Sequence, residues 1–261
     1  MKVDFNEDGH GSAVLLIHST VAGNKQWRKL IEYLSPHYQV IAPNLFGYGS
    51  SPKWSKKRDQ TLSDHVDLLK GFFERNESIS IVGHSFGGSV AMMAAKEYPE
   101  KIEKLVLIEP NPFYLLKNHS DPGSYQEVLD IRDIIKANAF KETWGQAAKQ
   151  FADYWNGSGA WTKMDEFRRE KFAEALKPNF HEFDCVINET TSLEEWRDIL
   201  PQNTHILFSE QTVNSIRKIV TIFEETMPNW IFHSYSEGTH MAPLTHPNIV
   251  NPIIHKILTE I

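Results

Sequence analysis

Cysteine is nearly absent from this sequence: Cys185 stands alone among 261 residues. One thiol cannot form an intramolecular disulfide or a cysteine-rich zinc site, and it suits a reducing compartment. Cys185 itself reads as a small buried hydrophobe. No apolar run approaches the length of a membrane span. Residues 1–7 have neither an apolar core nor a cleavage-site pattern, so no signal peptide is expected and the expected location is cytoplasmic. Positive charge is not in excess either. With 27 Lys and Arg against 34 Asp and Glu, the formal charge is −7, which speaks against nucleic acid or an anionic membrane surface as a partner. The one basic cluster, residues 53–58, reads as a solvated loop. The phosphate-cradling Gly-x-x-x-x-Gly-Lys-Ser/Thr, the dinucleotide Gly-x-Gly-x-x-Gly and a metal-binding His pair at i, i+4 around a Glu are all missing; no cofactor and no metal are expected. Repeats and low-complexity tracts are absent too. The chain has the length of one large domain, or of a core domain carrying an insertion.

What is present is the stretch Gly83-His84-Ser85-Phe86-Gly87-Gly88. Residues 78–82 before it are apolar and β-branched, which predicts a buried strand, and residues 90–95 after it predict a closely packed helix. Strand, Gly-x-Ser-x-Gly, helix is the context of a nucleophile elbow. The glycines answer to a turn too sharp for a Cβ on either side of the serine. Ser85 then projects from the sheet edge, facing the N–H groups of the new helix.

Around this stretch, strands are predicted at residues 13–17, 40–42, 105–108, 206–208 and 230–235. Between them fall helices with apolar faces: Trp27, Leu30, Ile31 and Leu34; Leu62, Val66, Leu69 and Phe73, capped by Thr61 or Ser63; Ile216, Ile219, Val220 and Phe223; and Val250, Ile253, Ile254, Ile257 and Leu258. Strand and helix alternate without hairpin signals, which argues for an α/β fold with a parallel sheet wrapped by helices. Ser19, the loop at residues 43–52, Ser85 and Glu109 all fall at the carboxyl ends of strands, where ligands bind in such sheets. From 112 to 203 the rhythm breaks into polar, helix-forming sequence rich in aromatics, with turns at 120–124 and 155–161. The expected organisation is a core made of residues 1–111 and 204–261, with a helical cap at 112–203. Most of the cap's aromatics read as its own small core; Tyr114, Trp155 and Trp161 are the candidates for substrate contact.

His18 after a strand, the Gly47-Tyr48-Gly49-Ser50 loop, the elbow, the inserted region and Gly238-Thr239-His240 together resemble the α/β-hydrolase superfamily along nearly the whole chain. Residues 107–110 and 240–247 are similar, more narrowly, to a branch of small bacterial hydrolases whose substrates the resemblance leaves open. The resemblance implies a mostly parallel sheet flanked by helices, a helical cap between two core strands, and a Ser–acid–His order along the chain. Ser85 is then the nucleophile, His240 the base, and the N–H groups of Thr20 and Phe86 the oxyanion hole. His84, His18 and His246 read as structural. Three positions depart from the family pattern: Ser19 for Gly, Asn44 for Asp, and Thr239 for Gly. The usual position of the acid is Thr212, which carries no charge. The alternative acid site in this fold is Glu109, with Glu210 as the competing carboxylate. The expected activity is hydrolysis of a carboxylic ester of a small to medium, partly apolar molecule through an acyl-enzyme. The alternatives are a perhydrolase or haloperoxidase-like reaction on the same residues, or a ligand-binding protein without turnover. Oligomeric state is not legible.

Overall fold

The computed structural model describes residues 2–118 and 122–260. Seven strands form one sheet: β1 (Phe5–Asp8), β2 (Ala13–Ile17), β3 (Gln39–Pro43), β4 (Ile79–His84), β5 (Ile102–Ile108), β6 (His205–Ser209) and β7 (Ile231–Tyr235). Their spatial order is β1-β3-β2-β4-β5-β6-β7. Every pairing is parallel except that of β1 with β3. β1 was not foreseen: all four of its residues, Phe-Asn-Glu-Asp, are exposed, so it has no buried face to leave an apolar pattern.

The inner strands read as continuous apolar runs because both faces of the sheet are covered. Leu15, Ile17, Ile81 and Leu107 pack on one side with α2 (Leu62–Arg75), α3 (Phe86–Glu97) and α9 (Asn214–Thr226). Val14, Leu16, Val82 and Val106 pack on the other with α1 (Arg28–Leu34) and α11 (Pro247–Thr259). Thr61 caps α2 in a capping box with Asp64. The basic cluster has a partner here that its composition did not reveal. Lys56 and Arg58 reach Asp64 at 3.0 and 2.6 Å, pinning that loop to the start of α2. Burial works to raise the Asp64 pKa, but these cations and the cap hydrogen bonds outweigh it and hold the carboxyl well below the usual range.

Between β5 and β6 lie α4 (Pro122–Phe140), α5 (Trp144–Asn156), α6 (Glu166–Leu176), α7 (Asn179–Ile187) and α8 (Leu193–Ile199). Part of the turn expected at 120–124 lies outside the described residues, and its remainder is the first turn of α4, not a loop. A last short helix, α10 (Ala242–Thr245), precedes α11. Among the described residues no helix is long and apolar enough to cross a membrane.

One close approach sets where the elbow helix lies. A Cβ on Gly87 would meet the carbonyl oxygens of Ile17 and His18 at 2.2 and 2.5 Å, both backbone atoms of the neighbouring strand end. Backbone cannot yield as a side chain can. Gly87→Ala is therefore expected to destabilise the fold by about 1–3 kcal/mol, read as a lower urea midpoint at unchanged slope.

Candidate active site

Ser85 sits between β4 and α3 with φ 54° and ψ −119°, a left-handed conformation that a side chain adopts only under constraint. Its N–H donates to the Ile108 carbonyl at 2.9 Å, tying the turn to β5. A Cβ on Gly83 would come within 2.4 Å of the Gly87 carbonyl, so the strand and the first helical turn close on each other only with glycine there. The reading of the stretch as an elbow agrees with this geometry.

His240 lies in the loop after β7 and is 2% exposed. Its Nε2 is 2.9 Å from Ser85 Oγ. Its Nδ1 is 2.5 Å from Glu109 Oε2. A carboxylate can only accept, which places the ring proton on Nδ1 and leaves the Nε2 lone pair facing the Ser85 hydroxyl. Glu109 follows β5 directly and has no solvent exposure. Its Oε1 accepts from the Ser209 N–H at 2.7 Å, and its Oε2 also accepts from the Thr212 hydroxyl at 2.7 Å. Thr212, the uncharged residue at the position where the family pattern expects the acid, thus donates to the Glu109 carboxylate. Glu210 is exposed and accepts from Ser234 at 3.0 Å, away from this line of hydrogen bonds.

The remaining histidines of interest serve the scaffold. His84 is fully buried, with Nε2 2.9 Å from the carbonyl oxygen of His240. Burial and the neighbouring His240 hold its pKa well below the ordinary imidazole value. His18 is pushed down to about 4 by burial, and its ring bridges the Ser19 carbonyl and the Leu45 N–H. His246 packs where a Cβ on Gly238 would fall, 2.8 Å from its Nδ1, so it braces the loop carrying His240. The departures from the family pattern have local answers. Ser19 is held by Gln26 Oε1 through both its N–H and its hydroxyl. Asn44 bridges the Asn24 N–H and the Asp4 carboxylate, so the charge missing at position 44 is supplied by Asp4.

Thr20, Ser85, Phe86 and His240 face a cavity of about 700 Å³. Neither the Thr20 nor the Phe86 N–H donates to a protein acceptor among the described residues. Much of the rest of the wall is apolar and comes from the inserted helices: Phe151 and Trp155 of α5, Phe172 of α6, and Phe183 and Val186 of α7. Trp155 lies over the His240 ring at a centroid distance of 4.2 Å.

Tyr114 and Trp161 do not line the cavity, which corrects two of the three expected substrate contacts. The Tyr114 hydroxyl donates to the Thr191 carbonyl at 2.5 Å and accepts from Trp196 Nε1, so its polar end is used within the inserted region. Trp161 packs edge-on against Phe172 and under the Arg169 guanidinium. Aromatic content alone does not say which face of a helix meets the cavity. Asn179, Glu182, Phe183 and Val186 were not singled out, although their i, i+3, i+4, i+7 spacing marks one face of α7. Among the described residues no group of three or more His, Cys, Asp and Glu side chains is placed to hold a metal ion.

A doubly wound sheet carrying a serine, an imidazole and a carboxylate in line at its carboxyl edge defines a class of hydrolase scaffolds. The chain belongs to the alpha/beta hydrolase fold family, whose model matches residues 12–160. A cis-3-alkyl-4-alkyloxetan-2-one decarboxylase of Shewanella oneidensis is 30% identical over 118 residues, covering 44% of this chain and 37% of that protein. The chain spans about a third of the length of several curated relatives it matches. A pimeloyl-acyl-carrier-protein methyl ester esterase of Legionella pneumophila is 22% identical over 251 residues, covering 95% of this chain and 96% of that protein. In three dimensions, an esterase from Thermogutta terrifontis superposes with a TM-score of 0.78 at 20% identity, covering 98% of this chain and 92% of the other. That likeness concerns the fold.

One of the hydrogen bonds on Glu109 comes from the Thr212 hydroxyl, which has no other role in this network. Thr212→Val is expected to leave Glu109 short of one donor and to lower stability by about 1–2 kcal/mol, read from the thermal unfolding midpoint.

Proposed function

We propose that this protein is a serine hydrolase cleaving carboxylic esters of small to medium, partly apolar molecules through an acyl-enzyme. The observation that carries the reading is the unbroken line Ser85 Oγ, His240 Nε2, His240 Nδ1, Glu109 Oε2, with separations of 2.9 and 2.5 Å. In this mechanism His240 Nε2 takes the Ser85 proton as Oγ bonds to the ester carbonyl carbon. The carbonyl electrons move to oxygen, and the N–H groups of Thr20 and Phe86 receive that oxyanion. When the oxyanion collapses, the bond to the alcohol oxygen breaks and the imidazolium returns its proton to that oxygen. Water, deprotonated by His240, then releases the acid from Ser85. Glu109 keeps the imidazole in the working tautomer and stabilises the imidazolium, without itself taking the proton.

Support for an ester comes also from the relative of nearly equal length, which is named for a methyl ester. The aromatic wall formed by Phe151, Trp155 and Phe172 suits an apolar acyl chain, and the inserted helices act as a cap over Ser85.

A fluorophosphonate probe is expected to label Ser85, and Ser85→Ala to lower p-nitrophenyl butyrate turnover by at least about 10³-fold. Equal rates in the variant and the parent would overturn the nucleophile assignment. Glu109→Gln is expected to cost about 10²- to 10⁴-fold in kcat, and Glu210→Gln little; the reverse pattern would move the acid to the later loop.

A further inference from the structure

A buried carboxyl that the mechanism does not use stands beside the oxyanion loop. Glu182 of α7 is 2% exposed, and its Oε2 accepts from the Thr20 hydroxyl at 2.6 Å. Asn179 Nδ2 reinforces the contact, donating to the same Oε2 at 3.1 Å and to Thr20 Oγ1 at 3.3 Å. Thr20 and Glu182 are 162 residues apart, one in the core and the other in the inserted helices. The residue after Thr20 is strained: Val21 is β-branched yet has φ 71°, a conformation that persists only where the surroundings impose it. On the core side, Gln26 holds Ser19 and the Tyr48 hydroxyl accepts from the Val21 N–H at 3.0 Å. On the other side the tether is Glu182.

We propose that Glu182 is a positioning residue for the oxyanion hole, by which helix α7 holds Thr20 where its N–H can receive the developing charge. This rests on the acyl-enzyme reading above, and adds that the catalytic loop is completed only with the inserted helices in place. Burial pushes the Glu182 carboxyl pKa up, against hydrogen bonds from Thr20 and Asn179 that lower it. That shift favours the neutral form next to a site where a full negative charge would oppose the oxyanion. Glu182 Oε1 and Asn179 Oδ1 are buried without a hydrogen-bond partner, so the cluster's strong contacts are those that converge on Thr20.

The test is steady-state kinetics on p-nitrophenyl butyrate with Glu182→Leu, Glu182→Gln, Thr20→Val and the Thr20→Val/Glu182→Leu pair. Misplacing one oxyanion donor is expected to lower kcat in Glu182→Leu by about 10- to 100-fold, with KM within about threefold of the parent. Glu182→Gln keeps a carbonyl oxygen that can accept from both donors, and is expected to restore most of the loss. Thr20→Val keeps the backbone N–H but removes the hydroxyl, so it should reproduce the loss from the core side, and the pair should lose no more than either single variant. It also probes the same bond should Glu182→Leu not fold. A Glu182→Leu variant with the parent kcat would overturn the proposal. So would a rise in KM at unchanged kcat, which would make Glu182 a substrate contact, or a Glu182→Gln variant as impaired as Glu182→Leu, which would make its proton the essential feature. If the parent protein labels and turns over ester while these variants match it, only the positioning role falls. If the parent turns over no ester, the hydrolase reading falls and takes this one with it.

Discussion

The site depends on burying one carboxylate. Glu109 is removed from solvent entirely, and an unpaired buried charge of this kind would cost several kcal/mol. Its compensation comes from three directions: the Ser209 N–H at the end of β6, the Thr212 hydroxyl in the loop beyond it, and the His240 ring from the loop after β7. No one of these segments can move without leaving the carboxylate short of a donor. The same hydrogen bond that satisfies Glu109 orients His240, and so decides where its Nε2 meets Ser85.

Backbone strain follows the same geography. Of the four non-glycine residues with positive φ among the described residues, Val21, Ser85 and Glu109 stand at the carboxyl edge around the cavity, while Glu142 lies between α4 and α5. Such conformations persist where the surroundings over-determine them. Here the restraints are visible: Val21 on Tyr48, Ser85 on the Ile108 carbonyl, and Glu109 on the Leu207 carbonyl. A sheet buried on both faces provides the rigidity, since its strands are held by apolar packing above and below and by ladder bonds on each side.

The inserted helices give the cavity its character. Their aromatics divide into those that meet the cavity, such as Phe151 and Trp155, and those consumed in the region's own packing, such as Tyr114 on Trp196. Trp155 belongs to both groups, stacking on His240 and packing with Phe151. Apolar walls of this kind lower the local polarity around His240 and strengthen the electrostatic contacts beside them.

The sequence by itself determined the elements whose signals are local. Apolar runs at β2 to β6, the glycines flanking Ser85, and the periodic faces of α1, α2, α9 and α11 depend on neighbours a few residues away, and each was legible. The need of Glu109 for a buried partner belongs here in part, because a carboxylate abutting a buried strand demands one whereas Glu210, in a polar loop, does not. Tertiary structure alone decided what depends on residues far apart in the chain. β1 has four exposed residues and exists only through its ladder with β3. The pairing of Lys56 and Arg58 with Asp64, the supply of Asp4 to Asn44, the dismissal of Tyr114 and Trp161 from the cavity, and the grip of Glu182 on Thr20 across 162 positions are likewise invisible to periodicity. A hydrogen bond between distant segments leaves no pattern in either one; it appears only when packing brings the two together and the loss of water makes each partner necessary to the other.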